Sequence, residues 1–115
     1  MRVDSMAHIS IISLKRALRW HPAGLRSWSL SDWYTALAGE CGEAGNVIKK
    51  LNRVRDGIVG NKETPEQLRQ SLGDELADVY LYLDLLAQAA EIDLPAAIER
   101  KFNAVSERHG FPERL

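Results

Sequence analysis

Apolar residues recur along this chain in steps of three and four, the spacing of amphipathic helices, and no stretch reads as a convincing strand. The pattern predicts four helices. The first spans about Met6 to Trp20, with Ile9, Ile12, Ala17 and Leu18 as its apolar set. It stops before His21-Pro22-Ala23-Gly24, because proline disfavours helical geometry at the residue before it. The segment from His21 to Leu30 reads as a loop carrying Trp28. A second helix is expected from about Ser31 to Arg55, with the stripe Trp33, Leu37, Glu40, Ala44, Val47 and Leu51. That is the seam of a helix packed in a bundle.

The stretch from Asp56 to Glu63 is rich in turn formers and reads as a linker. The third helix has the clearest start: Thr64 as N-cap, Pro65 at the first helical position, and Gln67 completing a capping box. Its seam is Leu68, Leu72, Glu75, Val79, Tyr82, Leu86 and Ala89. From Leu76 to Ala90 it is apolar almost all round, including Tyr80, Leu81, Leu83 and Leu85. A helix apolar on every side is buried on every side. A four-helix monomer of this size rarely encloses one helix completely, so a subunit interface is expected. Asp93 can cap the fourth helix, which has Pro95 in its first turn and runs to about His109. Gly110 then suits a left-handed cap, and Pro112 bars continuation. The expected fold is all-α, an antiparallel four-helix bundle completed by a homo-oligomer, either a dimer or a tetramer.

The 115 residues support one domain, 1–115, in which 45% hydrophobic and 27% charged residues favour folding over disorder. A core this small is commonly reinforced by oligomerisation. A net charge of −1 argues against a nucleic-acid polymer as partner. The single cysteine, Cys41, excludes an internal disulfide and a cysteine metal cluster. With no histidine at useful spacing, it reads as a small buried hydrophobe and not a nucleophile. The start lacks a signal-peptide h-region, and no apolar run approaches the roughly 20 residues of a membrane span. A cytoplasmic protein without a membrane partner is expected.

Both central seams contain a glutamate. Glu40 lies between Leu37 and Ala44, and Glu75 between Leu72 and Val79. An ionised carboxylate in an apolar seam is unfavourable unless paired or bound to metal. Each has an acidic companion three residues on, Glu43 and Asp78, which falls within roughly 60° on the same helix face. Antiparallel packing could bring all four together, and like charges so placed raise one another's pKa. A divalent cation resolves the conflict, and all-oxygen ligands favour Mg²⁺, with Mn²⁺ as a substitute. Mg²⁺ commonly shares its coordination with substrate phosphates.

Gly39, Gly42 and Gly45 stand beside these acids, although each glycine inside a helix costs about 1 kcal/mol relative to alanine. They imply either a close approach by a backbone or ligand, or a break in the helix. Lys50 returns to the face of Glu43 about 10 Å along the axis, where it could reach metal-bound phosphates. Lys101 on the fourth helix is a similar candidate. Lys49, Arg53 and Arg55 read as solvated charge. Trp28, on its loop, is the preferred base contact, whereas Trp33 belongs to the core. His21 fits the surface better than a base or phosphate contact.

Glu40-x-x-Glu43 followed by Glu75-x-x-Asp78 resembles the metal motif of the all-α nucleoside triphosphate pyrophosphohydrolases, a superfamily that includes MazG, dimeric dUTPases and dCTP pyrophosphatases. The likeness extends over Ala36–Leu51, Asp74–Leu83 and Lys101–Arg108, and over roughly residues 28 to 112 in all. It implies Mg²⁺ held by Glu40, Glu43, Glu75 and Asp78, with hydrolysis of (deoxy)nucleoside triphosphates between the α- and β-phosphates, in a role of cleaning the nucleotide pool. It also implies that Tyr82 lines the nucleotide pocket. Many members carry a further glutamate where this chain has Gly39, so the number of metal ions stays open. An oxygen-activating di-iron bundle is excluded, because no histidine follows a candidate glutamate at three residues. The remaining alternative is a non-enzymatic helical interaction or regulatory module whose acids form interchain salt bridges.

Overall fold

The computed structural model describes residues 5–115, and among them all regular structure is helical. The elements are α1 (Met6–Trp20), a 3₁₀ turn (Leu25–Ser27), α2 (Leu30–Arg55), α3 (Pro65–Ala89) and α4 (Leu94–His109). Each start has a side-chain cap. Ser5 accepts from the His8 N–H at the head of α1, and Asp93 from the Ala96 N–H at the head of α4. Ser29 and Asp32 close a capping box on α2, and Thr64 and Gln67 close another on α3. These side chains satisfy N–H groups that the first turn leaves without a helical partner.

Three helix ends share one closure. The N–H of Ile58 returns to the Arg53 carbonyl, that of Ile92 to Ala87, and that of Phe111 to Ser106. The preceding residue must then be left-handed. Gly57 at φ 69° and Gly110 at φ 70° suit the position, and Glu91 at φ 57° holds it after α3 without being glycine.

The chain forms two compact units. One comprises Trp28–Leu83, and therefore α2 and the larger part of α3. Trp33 and Leu68, each 1% exposed, are its most buried side chains, and Ala44 is buried with them. Every expected seam residue of α2 is buried or half-buried. The other unit combines the described residues up to Ser27 with Asp84–Leu115. In it, Ser10 Oγ donates to Asp84 Oδ1 at 2.7 Å, while Gln88 Nε2 donates to Asp84 Oδ2 at 2.8 Å and to the Ser10 carbonyl at 3.2 Å. Asp84 is thereby buried as part of a small polar network.

This network explains a departure from the expected face of α1. Ala17 is buried and Ile9 half-buried as expected, but Ile12 and Leu18 are exposed, and the helix buries Ser13 instead. The bond from Ser10 fixes the rotation of α1 so that a stripe of small residues turns inward. Cys41 also departs from expectation, being exposed. It follows Glu40 by about 100° of helix rotation, so an inward Glu40 leaves Cys41 outside. The helix is unbroken through Gly39, Gly42 and Gly45, and a Cβ at any of them would meet nothing within 4 Å. The close protein neighbour expected there is therefore not found. On α3, Leu76 and Leu83 are exposed, so the all-round burial expected of it is not met within one chain. No helix among the described residues is long and apolar enough to cross a membrane.

Replacing Thr64 with Ala removes the cap of α3 while leaving its packing face intact. Chemical denaturation should register a loss of about 1 kcal/mol.

Candidate functional site

Glu40 and Glu43 project from consecutive turns of α2, and Glu75 from α3, all within the unit Trp28–Leu83. One carboxylate oxygen from each of the three lies within 4.8 Å of the others. Glu40 and Glu75 are half-buried and Glu43 is exposed, so the group opens to solvent on the Glu43 side. Two oxygens, Glu40 Oε2 and Glu75 Oε2, are buried without a hydrogen-bond partner. Buried oxygens of this kind are costly, because each has lost water and gained no donor.

Both carboxyls respond by holding their protons above the ordinary value of 4.5. For Glu40 the main cause is loss of solvent, followed by the charges of Glu43 and Asp78. For Glu75 it is again loss of solvent, then the adjoining Glu43 carboxyl, then the charges of Asp78 and Asp74. Asp78 thus acts on both glutamates electrostatically, although it is not part of the tight group of three. A hard divalent cation fits this donor set. It would provide the unpartnered oxygens with a ligand bond and offset the mutual repulsion.

Trp28, Trp33 and Tyr82 gather in the same unit. Trp28 packs on Trp33 with ring centroids 4.7 Å apart and planes tilted by 55°, and Tyr82 lies 6.4 Å from Trp33. Trp33 is in the core as expected, while Trp28 remains 37% exposed. Trp28 also lines an open cleft of about 390 Å³ with Asp32, Thr35 and Ala36. Nothing in the sequence marks Asp32 as a site residue. Its only signal was the Ser29-x-x-Asp32 spacing of a capping box, which speaks of a helix start and not of a ligand.

The two candidate lysines are placed differently. The Lys50 ammonium lies 3.0 Å from Glu63 Oε1, which holds the Glu63 carboxyl below the usual carboxylate range. Asn61 Nδ2 donates to the Lys50 carbonyl at 2.8 Å, tying the linker to the end of α2. Glu63 lies across a turn from Lys50, where helical periodicity gives no warning of a partner. Lys101 is exposed on α4 in the other unit, beside a cleft lined by Leu94, Ala97, Ile98 and Phe102.

Helices throughout the described residues and three carboxylates gathered from two of them define a class of all-α proteins with an acidic cluster that would suit a hard cation. Within that class, this chain belongs to the family of the MazG nucleotide pyrophosphohydrolase domain, whose pattern matches residues 29–111. It is similar to the Gene 37 protein of Mycobacterium phage L5, at 33% identity over 72 residues, which is 63% of this chain and 59% of the phage protein. It is also similar to dCTP pyrophosphatase 1 of Mus musculus, at 34% over 74 residues, covering 64% of this chain and 42% of the relative. The Homo sapiens protein of that name is 34% identical over 80 residues, covering 70% and 44%. The matched segments span less than two thirds of each relative's length.

The raised carboxyls fix the sign of a pH effect. A group whose folded pKa lies above its unfolded value stabilises the fold below the unfolded pKa, and that stability is lost as pH rises through the folded value. Without metal, the contribution of Glu40 and Glu75 therefore fades upward from about pH 4.5. In chelator, Glu75→Gln should melt increasingly above the native protein as pH is raised from the acid range to neutrality. Thermal melts at several pH values measure the difference, and a constant offset would contradict the repulsion argument.

Proposed function

We propose that this chain hydrolyses nucleoside triphosphates to the monophosphate and pyrophosphate with Mg²⁺, Mn²⁺ serving as a substitute. The observation that carries this reading is the convergence of Glu40, Glu43 and Glu75 with two buried oxygens lacking partners. Glu40, Glu43, Glu75 and Asp78 would hold the cation. When bound, it supplies charge neutralisation for the triphosphate and a more acidic water at the α-phosphorus. A carboxylate of the four that is not fully engaged in coordination accepts the proton of that water. Glu43, on the exposed side of the group, keeps the approach to the cluster open to substrate and solvent.

Trp28 offers its exposed ring to the base, and Tyr82 borders the same aromatic group through Trp33. Lys50 would serve the phosphates by exchanging Glu63 for a more highly charged partner. Lys101 is assigned to the phosphates as well. The relatives named dCTP pyrophosphatase support a deoxynucleotide substrate, and we assign the chain a role in cleaning the cytoplasmic nucleotide pool.

The family match runs through residues of both compact units, which supports reading 1–115 as one domain. We further propose that its helices form an antiparallel four-helix bundle completed by a second copy. Leu76 at 52% and Leu83 at 38% exposure supply apolar surface on α3 for that copy. Sedimentation at micromolar concentration should give at least a dimer, and a stable 12.9 kDa monomer would refute the assembly.

Turnover with Mg²⁺ should release pyrophosphate, and excess chelator should abolish it. Orthophosphate as the sole primary product would overturn the reading. Glu75→Gln keeps the side-chain volume but withdraws a ligand charge, so kcat/KM should fall by at least about a hundredfold while the protein stays folded. A variant that is markedly destabilised yet hydrolyses nucleotides normally would assign Glu75 to a structural ion pair instead.

A further inference from the structure

The cleft beside Trp28 and the carboxylate cluster both draw residues from α2, and the geometry of that helix fixes the distance between Asp32 in the one and Glu43 in the other. Asp32 and Glu43 are separated by roughly three turns, about 16 Å along the axis, and fall within about 20° of one line on the helix surface. The residues along that line between them are Ala36, in the cleft, and Gly39, exposed with no protein atom within 4 Å of where a Cβ would stand. Such a track has an aromatic ring and a carboxylate at one end, a smooth stretch of small residues in the middle, and acids gathered for a metal at the other. Its length is close to that of an extended nucleoside triphosphate. With phosphates at the Glu43 end, the sugar passes over Ala36 and Gly39, and the base reaches Trp28 and Asp32 with the edge remote from its sugar leading.

That leading edge is where the bases differ. Cytosine and adenine carry an exocyclic amino group there, whereas uracil, thymine and guanine carry a keto oxygen. Asp32 has one oxygen occupied: Oδ2 accepts from the Ser29 N–H at 2.9 Å. Oδ1 accepts no hydrogen bond from the described residues, and Asp32 is exposed in the wall of the cleft. The capping bond holds the carboxylate in place, so the remaining acceptor meets a substrate without ordering a loose side chain. A carboxylate accepts from an amino group and repels a keto oxygen.

We propose that Asp32 selects the base, accepting a hydrogen bond from the amino group at the edge far from the sugar, so that cytosine and adenine nucleotides are preferred. The assignment rests on the carboxylate cluster being the triphosphate end of the site. A site built to pair a substrate N–H discriminates far more sharply than apolar packing does.

The test compares kcat/KM for dCTP, dATP, dUTP, dTTP and dGTP with Mg²⁺, in the native protein and in Asp32→Asn. The pair dCTP and dUTP differs only in the amino or keto group and in the proton that the keto form carries on the adjacent ring nitrogen. The asparagine carbonyl retains the acceptor for Ser29, and its amide turns a donor towards the cleft. The native protein should favour dCTP and dATP, and Asp32→Asn should lower the dCTP to dUTP ratio at least tenfold. A general folding defect lowers all substrates together and leaves that ratio unchanged, and a melting curve of the variant reads the cap separately. An unchanged ratio in Asp32→Asn, or a native preference for dUTP and dTTP, overturns the assignment while leaving the hydrolase reading intact. Absence of pyrophosphate from every nucleotide overturns the hydrolase reading, and this assignment falls with it.

Discussion

Carboxylates held within 4.8 Å of one another repel, and two of the three have an oxygen sealed from water. The repulsion is only partly screened there, because loss of solvent lowers the effective dielectric around the charges. Glu40 and Glu75 are placed in apolar seams where alanine or leucine would pack without penalty. Their position strains the fold, and a bound cation would relieve that strain.

The long helices keep this arrangement in register. Their starts are closed by capping boxes at Ser29–Asp32 and Thr64–Gln67, and α2 is stopped at Gly57, whose left-handed backbone turns the chain into the linker. Fixed ends limit how far a helix can slide or fray. Trp33, buried and touching both Trp28 and Tyr82, anchors the aromatic end of the unit two turns from Glu40. Asp32 and two of the three clustered carboxylates, Glu40 and Glu43, are thus set out along one helix, α2. The linker is tied to the far end of that helix, because Glu63 and Asn61 both bond to Lys50.

The helix count, the capping residues and the seams were legible because helical periodicity and cap chemistry are local properties. Glu40 and Glu75 stood out as charges in apolar stripes, and the spacing of three to Glu43 and Asp78 put each pair on one face. Other features were illegible for an equally physical reason. The rotation of α1 follows from a hydrogen bond between Ser10 and Asp84, residues far apart in the chain. Hydrophobicity alone favoured Ile12 and Leu18 as the inward residues, yet both are exposed.

The sequence by itself determined that this chain is helical and where its helices begin and end. It also determined which carboxylates share a face, since each of these follows from interactions within a few residues. Tertiary structure decided which acids meet. It brought Glu75 of α3 to Glu40 and Glu43 of α2 and left Asp78 acting through its charge. It also engaged Lys50 with Glu63, and made Asp32 the wall of a cleft as well as a cap. Those outcomes depend on distances between segments remote in sequence, and helical periodicity carries no information about them.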